Sequence, residues 1–116
     1  MTSASLDAAL SAVERRFIDA NPQSRLRHER ARAVLPGGHS RQTLYYAPFP
    51  LTVAHGEGTR ITDVDGHEYL NLVGDFAAGV FGHRSEPIHQ AVQQAMRSGI
   101  SLSGPNTHEV ELAELI

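Results

Sequence analysis

The chain has 116 residues, a formal net charge of −3, 41% hydrophobic and 20% charged residues. That balance is ordinary for a globular protein, leaves room for one small domain at most, and gives no electrostatic case for nucleic acid or an anionic membrane as partner. The sequence has no cysteine, which excludes disulfides and thiolate chemistry, and no lysine, so arginine supplies every permanent positive side chain.

The first residues lack the basic start and apolar core of a secretory signal, and no apolar run reaches membrane-spanning length; the expectation is a cytoplasmic protein. Ser5 to Ala20 predicts an amphipathic helix, with Leu6, Ala9, Leu10, Val13 and Phe17 at helical spacing and Ser5 as N-cap. Asn21-Pro22 ends it, because proline disfavours helical geometry in the residue before it. A second, more polar helix is expected from Ser24 to Val34. Its thin apolar content places it on a surface or against another chain, and its arginines (Arg25, Arg27, Arg30, Arg32) read as a solvated face. Leu35 to Arg41 is an irregular glycine-containing loop, and Thr43 to Val53 is extended.

Leu51 to Ala54 predicts a first strand, His55 to Gly58 a turn, and Thr59 to Asp63 a second strand. Asp65-Gly66 signals a type I′ hairpin turn, and Glu68 to Val73 is the return strand. Together these make a three-stranded antiparallel meander. Gly74 to Gly82 is a loop of small residues. Ser85 should cap a helix that carries Pro87 in its first turn, presents Ile88, Val92, Ala95 and Met96, and stops at Gly99. After a loop from Ile100 to Pro105, Asn106 should cap a last helix, with Glu109 completing a capping box. Nothing in Thr107 to Ile116 stops that helix, so the sequence is expected to be the front piece of a longer protein.

Seven histidines, at 28, 39, 55, 67, 83, 89 and 108, form no HExxH and no i, i+4 pair, so scattered turn and surface histidines are expected and no metal site. Asp63 to Gly66 starts like a calcium loop, but Glu68 and Gly74 stand where that loop needs glycine and glutamate. Gly56-Glu57-Gly58 lacks the third glycine of a dinucleotide fingerprint. Gly37 to Arg41, followed by Tyr45 and Tyr46, is open to two readings: a carboxylate clamp built on a bidentate guanidinium, or a loop arginine in a salt bridge. Gly74 to Gly79 is either a buried tight crossing or a pocket wall lined by Phe76.

Taken in order, Leu35 to Gly38, Gly56 to Gly66, Tyr69 to Val73, Gly82-His83, Pro87 and Leu112 to Leu115 resemble the N-terminal region of class III, fold-type I, pyridoxal-phosphate-dependent aminotransferases. Glutamate-1-semialdehyde aminomutases share the pattern, and Ser40 to Leu51 looks closer to β-amino-acid transaminases of the β-phenylalanine type. The resemblance implies an α/β enzyme, α+β over this stretch. Residues 1–34 would be an N-terminal helical arm, 35–84 a small-domain loop and meander, and 85–116 helices leading toward the cofactor-binding large domain. It implies a homodimer with active sites at the interface, pyridoxal 5′-phosphate as cofactor, and amino-acid and keto-acid substrates. Arg41 falls where the family binds a substrate carboxylate and Phe76 where an aromatic lines the pocket, with Ser40 and Tyr46 as further wall candidates. Ser101 to Asn106 matches a segment near the interface.

The departure is on the catalytic side. A Schiff base with pyridoxal phosphate needs an amine side chain, and there is no lysine. No catalytic or cofactor-binding residue is therefore expected in these residues, and the chain alone is expected to be inactive. The alternatives are an aminomutase-like isomerase and a non-catalytic module that docks on an aminotransferase.

Overall fold

The computed structural model describes residues 3–116, with side chains from Ser5 onward. The chain forms two compact units, Met1–His83 and Arg84–Ile116. In the first unit, α1 (Ser3–Ala20) and α2 (Pro22–Arg32) are separated by Asn21 alone. Asn21 serves both helices: its side-chain N–H donates to the Phe17 carbonyl at 2.7 Å, and its carbonyl accepts from Arg25 N at 3.1 Å. Two expectations shift here. Ser5 lies inside the first turn of α1 rather than at its cap, and α2 starts directly at Pro22, whose fixed φ and missing N–H suit a first helical position.

The three strands are β1 (Val53–Glu57), β2 (Arg60–Asp63) and β3 (Glu68–Leu70), paired antiparallel in the order β1-β2-β3. The expected meander is present, with moved boundaries. β1 begins later and runs through His55 and Gly56 to Glu57, so the turn shrinks to Gly58 and Thr59 between the paired Glu57 and Arg60. Tall apolar residues mark Leu51 to Ala54, but ladder bonds to β2 decide where the strand is. β3 is shorter than expected: Asn71 N still donates to Thr59 O at 2.9 Å, while its side chain accepts from Val73 N and Gly74 N, where the chain turns into the following loop. Between β2 and β3 the type I′ expectation fails: of Asp65 and Gly66, only Gly66 is left-handed (φ +91°). Gly66 N donates to Asp63 O and Asp63 N to His67 O, so Val64, Asp65 and Gly66 form a three-residue loop with glycine at the left-handed position.

The stretch expected to be extended contains a short 3-10 turn, Gln42–Leu44, and a second one precedes it at Pro36–Gly38. Phe49, 4% exposed, is the one large apolar side chain buried among the described residues. It packs on Phe17 at 5.0 Å between ring centroids, and Phe17 meets Tyr46 edge-on at 6.3 Å. This aromatic cluster joins α1 to the loop before the sheet. Toward the start of α1 the same stripe continues through Leu6, Leu10 and Val13, which are exposed.

The second unit holds α3 (Glu86–Ser98) and α4 (Thr107–Leu115). Ser85 stands at the N-cap of α3 without a side-chain bond, and Gly99 ends the helix at φ +106°. The capping box on α4 forms as expected: His108 N donates to Asn106 Oδ1 at 2.9 Å, and Asn106 N to Glu109 Oε1 at 3.2 Å. Among the described residues no helix is long and apolar enough to cross a membrane.

Candidate functional site

The polar centre of the first unit is Asp63, 3% exposed. Its Oδ1 accepts from Asp65 N (2.9 Å) and His67 N (2.8 Å), and its Oδ2 from the Tyr69 hydroxyl (2.9 Å) and His67 Nδ1 (3.0 Å). Burial raises the carboxyl's pKa, but these donors outweigh it and hold Asp63 below the ordinary carboxylate value. The same contact, added to burial, pushes the Tyr69 hydroxyl up to about 12. With all four acceptor positions taken by protein donors, this cluster builds the hairpin.

Two residues on, Asp65 reaches across to the start of α2. Its carboxylate oxygens accept from Gln23 N (2.7 Å) and Ser24 N (3.0 Å), two of the donors that a helix N-terminus leaves without intrahelical partners. Partial burial works against its charge, yet those donors hold Asp65 below its ordinary value. Ser24, fully buried, accepts from Thr52 N at 3.2 Å. The helical arm is thus tied to the meander by a cap supplied from 41 residues away. Helix-capping rules look only at neighbours in sequence, so the sequence reading found the turn at Asp65 and missed this second task.

Ser40 and Arg41 are both exposed, on the extended segment between the two 3-10 turns. Among the described residues Arg41 makes no side-chain hydrogen bond or ion pair. Tyr46 is committed locally: its oxygen accepts Leu51 N at 2.8 Å and its ring edge meets Phe17. Nearby, Tyr45 stacks with His39 (5.2 Å) and His28 (6.0 Å), lining a 480 Å³ cleft with Arg32 and Gln42. Phe76 is exposed, and among the described residues no hydrogen bond or ring contact joins it to Ser40, Arg41 or Tyr46.

The backbone around Phe76 is unusual. Gly74 (φ +57°), Asp75 (+51°), Phe76 (+55°) and Ala77 (+73°) form a consecutive left-handed turn. Outside glycine, left-handed geometry costs roughly 1–2 kcal/mol per residue, and such strain persists only where surroundings enforce it. Beside this turn stands His83, packed against the β1–β2 hairpin. His83 N donates to Gly58 O at 3.0 Å. Its ring lies against Gly56, where an added Cβ would stand 2.6 Å from Cγ. Its Nε2 is 2.9 Å from Asn71 Nδ2, and its Nδ1 is 3.5 Å from Asp75 Oδ2. Gly82 (φ +81°) passes so close to the Gly58 carbonyl that a Cβ would sit 2.9 Å from its oxygen. Gly56, Gly58, Gly82 and His83, scattered in sequence, are one contact.

No protein-family model matches the chain. A curated β-phenylalanine transaminase from Variovorax paradoxus is 48% identical over 116 residues, covering 100% of this chain and 27% of that protein. A solved β-phenylalanine aminotransferase from the same organism superposes with a TM-score of 0.89 at 48% identity, over 94% of this chain and 25% of its own. A solved transaminase with pyridoxal phosphate bound superposes with a TM-score of 0.78 at 36% identity, over 81% of this chain and 22% of its own. The chain is a relative of the class III pyridoxal-phosphate-dependent transaminases and aminomutases. The aminomutase side is represented by a glutamate-1-semialdehyde 2,1-aminomutase from Deinococcus radiodurans, 41% identical over 90 residues, covering 75% of this chain and 20% of that protein. The helices and antiparallel meander of this chain are the fold-type I build of its structural neighbours. The chain spans 20–27% of the length of these curated relatives.

The residues of this chain do not supply a covalent anchor for the cofactor, because no side chain carries a Schiff-base-forming amine. Arg41 carries an exposed guanidinium with no side-chain hydrogen bond or ion pair among the described residues, and Phe76 stands exposed on a left-handed turn.

Proposed function

We propose that the protein carrying this sequence is a pyridoxal-phosphate-dependent aminotransferase that moves an amino group between an amino acid and a keto acid, with β-amino acids as the favoured amine. In this reading Arg41 binds the substrate carboxylate, Phe76 lines the side-chain pocket, and Ser40 and Tyr46 complete the wall. Residues 1–34 are the arm, 35–84 the small domain and 85–116 the approach to the large domain of a cytoplasmic homodimer with interfacial active sites. The cofactor, when bound, supplies the electron sink for amino transfer. This chain's residues orient the substrate.

The observation that carries the reading is Arg41, an exposed guanidinium with no hydrogen bond or ion pair among the described residues. A bidentate guanidinium–carboxylate pair fixes orientation as well as affinity. The test is Arg41→Ala in the protein carrying this sequence, assayed with a β-amino acid and a keto-acid acceptor. Loss of a charge-assisted pair raises KM by about tenfold to a hundredfold, and Arg41→Lys recovers only part. An unchanged KM removes Arg41 from the substrate site. Incubating the 116-residue chain alone with pyridoxal phosphate and borohydride should fix no cofactor on any side chain.

The 41% identity to an aminomutase supports a second reading, transfer of the amino group within one molecule. Isomerisation of glutamate semialdehyde without a keto-acid acceptor separates it from the first.

A further inference from the structure

We propose that His83 is a positioning residue: it fixes the left-handed turn Gly74–Ala77 and, through it, the ring of Phe76, and so sets selectivity for the substrate side chain. The proposal rests on the aminotransferase reading for the meaning of Phe76, and on geometry for the rest.

The hydrogen-bond pattern around His83 allows one arrangement. Asn71 Oδ1 accepts from Val73 N (3.0 Å) and Gly74 N (3.2 Å), which commits the amide's orientation. Its Nδ2 therefore faces His83 Nε2, and an amide N–H only donates, so Nε2 is the bare acceptor. The ring proton is then on Nδ1, facing the Asp75 carboxylate. Asp75 precedes Phe76 directly and shares its left-handed geometry, at φ +51° and ψ +36°. Gly79 leaves room for that carboxylate, since a Cβ there would stand 2.8 Å from Asp75 Oδ2. His83 is itself fixed by the β1–β2 turn through Gly56 and Gly58. The hairpin thus holds the histidine, the histidine meets Asn71 and Asp75 on the two flanks of the turn, and the turn carries the ring.

The test compares a bulky aromatic β-amino acid with a small aliphatic one in the protein carrying this sequence, using His83→Ala, His83→Asn, Phe76→Ala and the His83→Ala/Phe76→Ala double variant. Small misplacement of a contacting group is expensive, so His83→Ala should raise KM for the aromatic amine by about tenfold while changing the aliphatic one little. Phe76→Ala should show the same selectivity, and adding His83→Ala to it should do nothing further. His83→Asn, which keeps a donor toward Asp75, should recover most of the loss. Equal loss on both amines, or a further loss in the double variant, overturns the proposal. Should His83→Ala fail to fold, His83→Gln, which reaches Asn71 but not Asp75, replaces it with the same two outcomes. If the unsubstituted protein transaminates neither amine, the aminotransferase reading fails on its own. Nitrogen-15 NMR of the His83 ring then decides the positioning role: the Nδ1–H tautomer supports it, and an Nε2–H tautomer or a charged ring overturns it.

Discussion

Two turns in the first unit carry carboxylates, buried at Asp63 and exposed at Asp75, and they use them differently. At the β2–β3 turn the left-handed position is filled by Gly66, and Asp63 collects four donors. At Gly74–Ala77 the left-handed positions are filled by Asp75, Phe76 and Ala77, and the Asp75 carboxylate has one histidine at 3.5 Å. The first turn is relaxed and heavily bonded; the second is strained and held by few contacts. A relaxed, saturated turn contributes stability, whereas a strained one costs stability and persists only where its surroundings hold it.

Removing Asp63 should break the first turn most severely. Asp63→Ala leaves two amides, the Tyr69 hydroxyl and the His67 ring without their acceptor, and should destabilise the protein by about 3 kcal/mol in denaturant unfolding, against little loss for Asp75→Ala. Acid sharpens the same contrast. Asp63 and Asp65 are both held below the ordinary carboxylate value of 3.8, so their stabilisation is present above that pH and lost as pH falls through the folded values. Tyr69 acts at the other end: raised from 10.0 to about 12, it contributes fully below pH 10 and loses its contribution between pH 10 and 12. Tyr69→Phe should flatten that alkaline limb in a pH series of melting temperatures.

A smaller effect is expected at the cap. Asp65→Ala should cost about 1 kcal/mol, with faster hydrogen exchange at Gln23 and Ser24. The smallest change in stability belongs to Phe76→Gly. Glycine relieves the left-handed strain but loosens the unfolded chain, so stability should shift by less than about 1 kcal/mol while KM for an aromatic amine rises. A large stability loss there would mean that Phe76 is a packing residue and not a displayed one.

The sequence by itself determined the element types. Helical periodicity marked α1, the box of Asn106 and Glu109 marked α4, and alternation punctuated by glycine marked the meander, because each depends on neighbours a few residues apart. The absence of lysine settled that this chain holds no covalent cofactor anchor. Candidate residues were legible as types, with Arg41 beside glycines and Phe76 among small residues. Only the tertiary structure decided that Asp65 caps a helix 41 residues away, that Gly66 and not the Asp65-Gly66 pair makes the turn, and that Gly56 lies against the His83 ring while Gly82 passes the Gly58 carbonyl. Those are contacts between segments that no local rule connects. A hydrogen bond or a close approach across dozens of residues becomes visible only when the backbone brings its two ends together.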